Sequence, residues 1–278
     1  AFGYFNTAGG LASSAFGWSN TASAENASAF GYVNEASGLA SSALGFRNKA
    51  ANENASAVGY GNNAGGVASS AFGFSNVAKV DYASAFGYSN EASGLASSAV
   101  GFRNKAASEN ASAVGYGNNA NALAASAVGY NNTAGGVGSS TIGYNNTATN
   151  ENASAFGYGN TAGGLASSAF GFSNTASGDN ANAFGYNNIA SGSKSNVFGT
   201  GNTVSGSSST AVGTANEVAA ENSTAIGNNN TISSGAENSA ALGNNISISL
   251  KDSVALGNNS TATAINSVTG NSSYTKWA

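Results

Sequence analysis

The sequence predicts an all-β solenoid, in which the chain winds through about 19 coils of fourteen residues each. Three observations lead to this prediction. A glycine recurs at a constant interval, the residues around it fall into fixed columns, and apolar and polar residues alternate beside it. A strict short period is typical of repeat proteins in which each unit contacts only its neighbours. The 278 residues are therefore expected to form one array rather than separate globular domains.

One glycine marks each repeat and directly follows a large apolar residue. Successive markers lie 14 residues apart, except for a step of 16 that leads to Gly243. The longer step adds residues around 233–237, where we expect a protruding loop. The marker glycines are Gly3, Gly17, Gly31, Gly45, Gly59, Gly73, Gly87, Gly101, Gly115, Gly129, Gly143, Gly157, Gly171, Gly185, Gly199, Gly213, Gly227, Gly243 and Gly257.

Each repeat predicts two short strands, such as residues 26–30 and 32–36, with the marker glycine at the corner between them. Side chains alternate along a strand, so Ala27 and Ala29 share one face and Phe30 lies on the other. Inward alanines would let two sheets approach closely. A helix is disfavoured, because every repeat contains glycine together with asparagine and serine.

An asparagine lies three residues after the marker in each of the first seventeen repeats, from Asn6 to Asn230. Stacked from coil to coil, these side chains predict an amide ladder or support for a tight turn. Five residues after the marker the chain has alanine, or later a β-branched residue, as at Val204, Val218 and Ile232. This column is expected to face inward.

The composition excludes several classes of function. Only 7% of residues are charged and the net charge is −4, so no nucleic-acid partner is predicted. No stretch is apolar enough to span a bilayer, so no membrane contact is predicted for this segment. Without histidine or cysteine, Ser–His and Cys–His nucleophile pairs are excluded. We predict no enzyme, no metal site and no cofactor.

The large residue before each marker predicts self-association. A narrow coil cannot enclose a column of phenylalanine, leucine and valine, and a stripe of them in water would aggregate. Association of copies around the stripe with cyclic symmetry removes the problem, so an obligate homo-oligomer is expected. The predicted interface column contains Phe16, Phe30, Leu44, Val58, Phe72, Phe86 and Val100.

Charged residues follow the same stacking. Glu35 lies one coil from Lys49, and Glu91 lies one coil from Lys105, in the column four residues after the marker. Opposite charges in neighbouring strands favour the correct register. Because such pairs are exposed, each is expected to contribute about 0–1 kcal/mol.

The last repeats carry a recognisable motif. Residues 253–260 read SVALGNNS, residues 223–227 read STAIG and residues 239–243 read SAALG. The chain therefore resembles the YadA-type head of trimeric autotransporter adhesins, whose repeat is built on Ser-Val-Ala-Ile-Gly, and the resemblance covers residues 1–263. The first fourteen repeats differ from that form. They have serine three residues before the marker, from Ser14 to Ser168, and an aromatic residue just after it, from Tyr4 to Tyr186.

This resemblance implies a single-stranded, left-handed parallel β-roll assembled as a homotrimer. It also implies a bacterial cell-surface, extracellular location, with a stalk and an outer-membrane anchor that this sequence does not contain. The implied partners are the chain itself and a host matrix protein, a cell surface or an abiotic surface. Residues 264–278 lose the repeat, and we expect a capping turn there or the start of a connector.

Two groups of residues are candidates for surface binding. The aromatic column can form an adhesive face, since tyrosine suits binding surfaces, or its rings can pack on one another from coil to coil, which we favour. Two basic pairs can contact acidic glycans or matrix proteins, or be plain surface charge, which we again favour. The candidates are Tyr32, Tyr60, Tyr88, Tyr116, Tyr158, Arg47, Lys49, Arg103 and Lys105.

Two functions fit this architecture. The first is an adhesin head that binds surfaces through many weak, repeated contacts. The second is a passive spacer that holds another binding domain away from the cell. An ice-binding solenoid ranks last, because the flat Thr-x-Thr array that it needs is missing from the sequence.

Overall fold

The computed structural model describes residues 1–263, which form a parallel β-solenoid of coils fourteen residues long. The predicted all-β fold is confirmed, and the described residues contain no helix. The chain divides into two compact units, Ala1–Ile142 and Gly143–Ala278. The turn or connector predicted at 264–278 lies outside the described residues.

Each coil contains one long and one short strand. The long strands are Phe2–Tyr4, Ser14–Trp18, Ser28–Tyr32, Ser42–Phe46, Ser56–Tyr60, Ser70–Phe74, Ser84–Tyr88, Ser98–Phe102, Ser112–Tyr116, Ser126–Tyr130, Ser140–Tyr144, Ser154–Tyr158, Ser168–Phe172, Asn182–Tyr186, Asn196–Thr200, Thr210–Thr214, Thr224–Asn228, Ala240–Asn244 and Val254–Asn258. The short strands are Thr7–Ala8, Thr21–Ala22, Glu35–Ala36, Lys49–Ala50, Asn63–Ala64, Val77–Ala78, Glu91–Ala92, Lys105–Ala106, Asn119–Ala120, Thr133–Ala134, Thr147–Ala148, Thr161–Ala162, Thr175–Ala176, Ile189–Ala190, Thr203–Val204, Glu217–Val218, Thr231–Ile232, Ser247–Ile248 and Thr261–Ala262.

Strand pairing follows the repeat in each unit. In the first unit, Gly73 is the register partner of Gly87, and every residue of those two strands pairs with its counterpart 14 residues on. In the second unit, Phe170 pairs with Phe184 in the same way. The 16-residue step keeps this register too, because Gly227 pairs with Gly243. Every sequence column is therefore a physical column of side chains within its unit.

The predicted position of the marker glycine is wrong. It was expected at the corner between two strands, but Gly31 lies inside the strand Ser28–Tyr32 with a φ of +120°. A Cβ built on Gly31 would lie 2.1 Å from the carbonyl oxygen of Gly45, so only glycine fits there. The corner comes two residues later, at Val33, which adopts the left-handed conformation with a φ of +56°.

Small side chains fill the interior, as predicted. Ala27, Ala29 and Ala36 are fully buried, while Phe30 on the opposite face is 38% exposed. Alanine lets the two sheets lie close together, and the close packing excludes water from the backbone between them. In the later coils Val204 takes the place of alanine and is also fully buried.

The two extra residues of the long step form a turn rather than a protruding loop. The amide of Ala236 donates to the carbonyl oxygen of Ser233 at 3.1 Å, and Ala236 itself is fully buried. Only Ser234 and Gly235 at the tip are exposed. Because Ala236 is buried in the core, the inserted residues lie against the coil.

Candidate functional site

A buried ladder of asparagine side chains fixes the corner beside the candidate surface. The Nδ2 atom of Asn34 donates to Asn20 Oδ1 at 2.9 Å, to the Phe30 carbonyl at 2.9 Å and to the Gly45 carbonyl at 2.7 Å. Its Oδ1 atom accepts the amide of Asn48 at 3.0 Å. The predicted ladder is thus confirmed. It satisfies the buried polar groups of the corner and holds the neighbouring outward residues at a fixed spacing.

As far as Tyr186 the residue after the marker is aromatic, and stacked rings in this column form what we call the ring ladder. In the first unit it contains Tyr32, Phe46, Tyr60, Phe74, Tyr88, Phe102, Tyr116 and Tyr130. Neighbouring centroids lie 4.7–4.9 Å apart, with planes within 7° of parallel. This spacing is the distance between adjacent strands, so the sheet itself sets the stacking.

The candidate tyrosines lie on such ladders and remain partly exposed. Tyr32, Tyr60, Tyr88 and Tyr116 share the ladder of the first unit. Tyr158 belongs to the second unit, where it stacks on Tyr144 at 4.7 Å. All the candidate tyrosines are between 39% and 46% exposed. The rings therefore pack on one another and still present an edge to solvent.

Three of the four basic candidates have partners within the chain, while Lys105 is placed opposite Glu91 by the strand register. Lys49 Nζ lies 3.2 Å from Glu35 Oε1, an ion pair in which both side chains are nearly half exposed. The guanidinium carbon of Arg47 lies 5.2 Å from the centroid of the Phe46 ring. Arg103 lies 5.1 Å from the centroid of Phe102 in the same arrangement. These cation–π contacts bring the arginines onto the ring ladder.

The sequence reasoning missed these cation–π contacts. The signal was an arginine directly after the aromatic residue, at Phe46-Arg47 and again at Phe102-Arg103. Arg47 occupies the left-handed corner with a φ of 53°, and from that corner its side chain reaches over the preceding ring.

The apolar column before the marker is also exposed in the single chain. Phe16, Phe30, Leu44, Phe86 and Val100 are between 36% and 49% exposed. Val58 and Phe72 in the same column are half-buried. Phe72 and Phe86 stack at 5.1 Å. The column thus forms a second apolar stripe that a single copy does not cover.

Residues 1–263 contain no group of three or more side chains that could hold a metal ion, and no helix long and apolar enough to cross a membrane. The outward faces instead consist of repeated small, polar and aromatic columns. Such an arrangement can make many similar contacts on coil after coil.

Comparison with known protein families gives one result. The family model of the YadA head domain repeat matches residues 1–33, 36–62, 64–90, 92–118, 107–132, 134–160, 162–188, 205–230 and 251–268. No curated protein matches the chain. The matches cover most of the sequence and follow the coils that the structure describes.

Proposed function

The chain belongs to the YadA head domain repeat family, and from this membership we propose that it is the head of a surface adhesin. Its role would be non-catalytic attachment of a bacterial cell to host matrix, host cells or abiotic surfaces. The observation that carries the proposal is the repetition of one exposed ring column on coil after coil. Individually weak contacts at a regular spacing add up to firm attachment.

We propose that residues 1–263 form this head and that three copies assemble around the apolar column. The exposure of Phe30, Leu44 and Phe86 supports this, because a stripe of this kind is covered in a stable soluble protein. Light scattering is expected to give a mass of three chains, each of 26.9 kDa.

A pair of variants tests the proposed interface. Phe30→Asn combined with Phe86→Asn makes the stripe polar and is expected to yield monomers. Leu95→Asn is the matched control, since Leu95 is 43% exposed but lies outside the column. A wild-type monomer by light scattering, or dissociation by Leu95→Asn alone, would refute the proposed interface.

We assign the adhesive contacts to the ring ladder, whose exposed members include Tyr32, Tyr60, Tyr88, Tyr116 and Tyr158. The basic residues Arg47, Lys49, Arg103 and Lys105 have weaker support. Lys49 is paired with Glu35, and both arginines lie over rings. Their charges are thus less available to an acidic glycan than the sequence alone suggests.

The experiment is a surface-binding panel with the assembled protein, covering matrix proteins, cultured host cells and an abiotic surface such as polystyrene. Adhesion to at least one of them is expected. In cells that display the whole protein, deletion of residues 1–263 is expected to abolish that adhesion. Adhesion that survives the deletion would place the binding function elsewhere.

A second function, a passive spacer, is favoured by one observation. Residues 29–64 and 85–120 lie 56 residues, or four coils, apart and differ at only three positions, which indicates a duplication with that spacing. The two copies have the same local geometry, since each arginine lies over its ring at nearly the same distance. A spacer predicts no binding in the panel, and removal of one 56-residue block would then change length alone.

A further inference from the structure

The ring ladder has an open stretch between its two arginines. Between Phe46 and Phe102 lie the rings of Tyr60, Phe74 and Tyr88, which are 43%, 39% and 39% exposed. The corner residue after each of these rings is small: Gly61, Ser75 and Ser89. A Cβ built on Gly61 would meet only Ser75 Oγ, at 3.6 Å, so space remains over this part of the ladder.

The chain itself demonstrates what the rings accept. At Phe46 and at Phe102 a guanidinium group lies over the ladder, at 5.2 and 5.1 Å from the ring centroid. Both contacts use a corner residue with a φ of 53°. Ser75 and Ser89 have nearly the same backbone, with φ values of 53° and 52°, but carry no side chain long enough to cover a ring.

We propose that the open rings Tyr60, Phe74 and Tyr88 bind the guanidinium groups of an arginine-rich segment of a partner protein. This inference rests on the proposed adhesive function and names the partner's chemistry. The partner's arginines would lie over these rings as Arg47 and Arg103 lie over theirs. The net charge of −4 and the isoelectric point near 4.7 favour a basic partner.

Arginine suits this surface better than lysine. The faces of these rings are covered by their neighbours at 4.7–4.9 Å, so a partner reaches the exposed side of the ladder. A guanidinium is planar and weakly hydrated, so it can pack on that side with little loss of solvation, whereas an ammonium is compact and strongly hydrated. One exposed cation–π contact is weak, but three rings in succession let one segment make several contacts at once. A preference for arginine over lysine at equal charge would therefore distinguish contact with the rings from simple charge attraction.

The probes are a poly-arginine peptide and a poly-lysine peptide of the same length and charge. Binding of each to the full chain is measured by fluorescence anisotropy at physiological salt. The arginine peptide is expected to bind more tightly, by about two- to fivefold for each stacked contact. Equal affinity for the two peptides would overturn the proposal.

An arginine at the corner of the open stretch tests the location of binding, since the same corner position already holds Arg47 and Arg103 in other coils. Ser75→Arg places a guanidinium over Phe74 in the manner of Arg47, so it is expected to weaken arginine-peptide binding about two- to fivefold or more. Ser23→Arg is the matched control, because it adds the same charge at an exposed site away from the rings. The double variant Arg47→Ser, Arg103→Ser uncovers two more rings and is expected to tighten binding.

The outcomes separate this inference from the proposed function. If the protein adheres to the surface panel but Ser75→Arg binds the arginine peptide as Ser23→Arg does, only the inference fails. If it binds neither the panel nor the peptide, both fail. A change of oligomeric state in Ser75→Arg, measured by light scattering, would assign the ring ladder to contacts between copies and would also overturn the inference.

Discussion

The coils of residues 29–130 and those of residues 197–262 share one backbone but differ in two columns, one that faces the interior and one that follows the marker glycine. In the earlier coils the interior column holds alanine, as at Ala92, and the residue after the marker is an aromatic ring. In the later coils the same interior column holds Val218 and Ile232, both fully buried. The outward residue is then threonine or asparagine, as at Thr214 and Asn228.

The outward columns are stabilised by different interactions in the two regions. Stacked rings contribute about 0.5–1.5 kcal/mol per pair beyond their buried area. In the later coils Asn228 Nδ2 instead donates to Asn244 Oδ1 at 2.8 Å, and Asn244 Nδ2 donates to Asn258 Oδ1 at 3.0 Å. The loss of ring stacking coincides with larger buried aliphatic groups, each contributing about 1.5–3 kcal/mol. The marker glycine column is therefore the feature that both regions share, while the residue types of the interior and outward columns differ between them.

The largest expected effect comes from the feature that both regions share. Gly87→Ala and Gly213→Ala each place a Cβ within 2.1 Å of the next coil's glycine carbonyl, at a φ that alanine disfavours. Both are expected to destabilise their own coils by about 4 kcal/mol. The measurement is amide hydrogen exchange in the flanking coils, which reports local opening free energies.

Gly61→Ala is the control for the glycine variants. Its φ of +63° is left-handed too, but its Cβ would contact only Ser75 Oγ, so the expected cost is about 1 kcal/mol. If Gly87→Ala cost no more than Gly61→Ala, close approach of the backbone would not explain the marker glycine. A large effect in only one region would mean that the two regions do not share the same backbone requirement.

The second prediction concerns the buried asparagine ladder, which ends before the last coils. Asn90→Ile leaves the carbonyl oxygens of Phe86 and Gly101 and the amide of Asn104 without their partners. A loss of at least about 3 kcal/mol is expected, measured by hydrogen exchange. The natural counterpart is Ile246, which is 1% exposed and occupies the ladder position of its coil.

The reverse substitution, Ile246→Asn, sharpens the same comparison. The amide of Ile246 already donates to Asn230 Oδ1 at 3.0 Å, so a new asparagine would extend the ladder by one member. The expected change is within about 1 kcal/mol. If both substitutions were equally costly, the ladder would not be interchangeable with aliphatic packing at any coil.

Much of this structure can be predicted from the sequence because the period converts spacing directly into position. The inward alanines, the ladder from Asn6 to Asn230 and the facing of Glu35 and Lys49 all follow from columns. Conformation within a column does not follow. Alternation alone cannot distinguish a glycine at a corner from Gly31, which continues a strand at a positive φ.

The directions of the side chains at the candidate site also could not be predicted from the sequence. Arg47 lies over Phe46 because its backbone adopts the left-handed conformation two residues after the marker. The spacing of residues in the sequence does not reveal this dihedral angle. The sequence predicts a protruding loop at 233–237, because the spacing alone does not show that the interior has room for the side chain of Ala236. The period of the sequence determines the register of the strands, whereas the local backbone conformation determines which side chains are in contact.

The third prediction exchanges the interior residues of the two regions. Val218→Ala removes buried methyl groups from a later coil and is expected to cost about 2 kcal/mol. Ala92→Val adds them to an earlier coil, where the interior is filled by alanine, and a similar cost is expected from overpacking. Hydrogen exchange of each coil measures both. Stabilisation by Ala92→Val would contradict the close approach of the sheets that alanine permits.

The smallest expected effect distinguishes two pairs that the sequence makes equivalent. Glu35 and Lys49 are register partners and form an ion pair at 3.2 Å, and Glu91 and Lys105 are register partners at the duplicated position. A double-mutant cycle with Glu35→Gln and Lys49→Gln is expected to give a coupling of about 0.5 kcal/mol that weakens in high salt. The matched cycle at Glu91 and Lys105 is expected to give a smaller value. Because both pairs occupy the same column, a difference between the cycles measures the direct contact alone, whereas equal couplings would mean that register placement is sufficient.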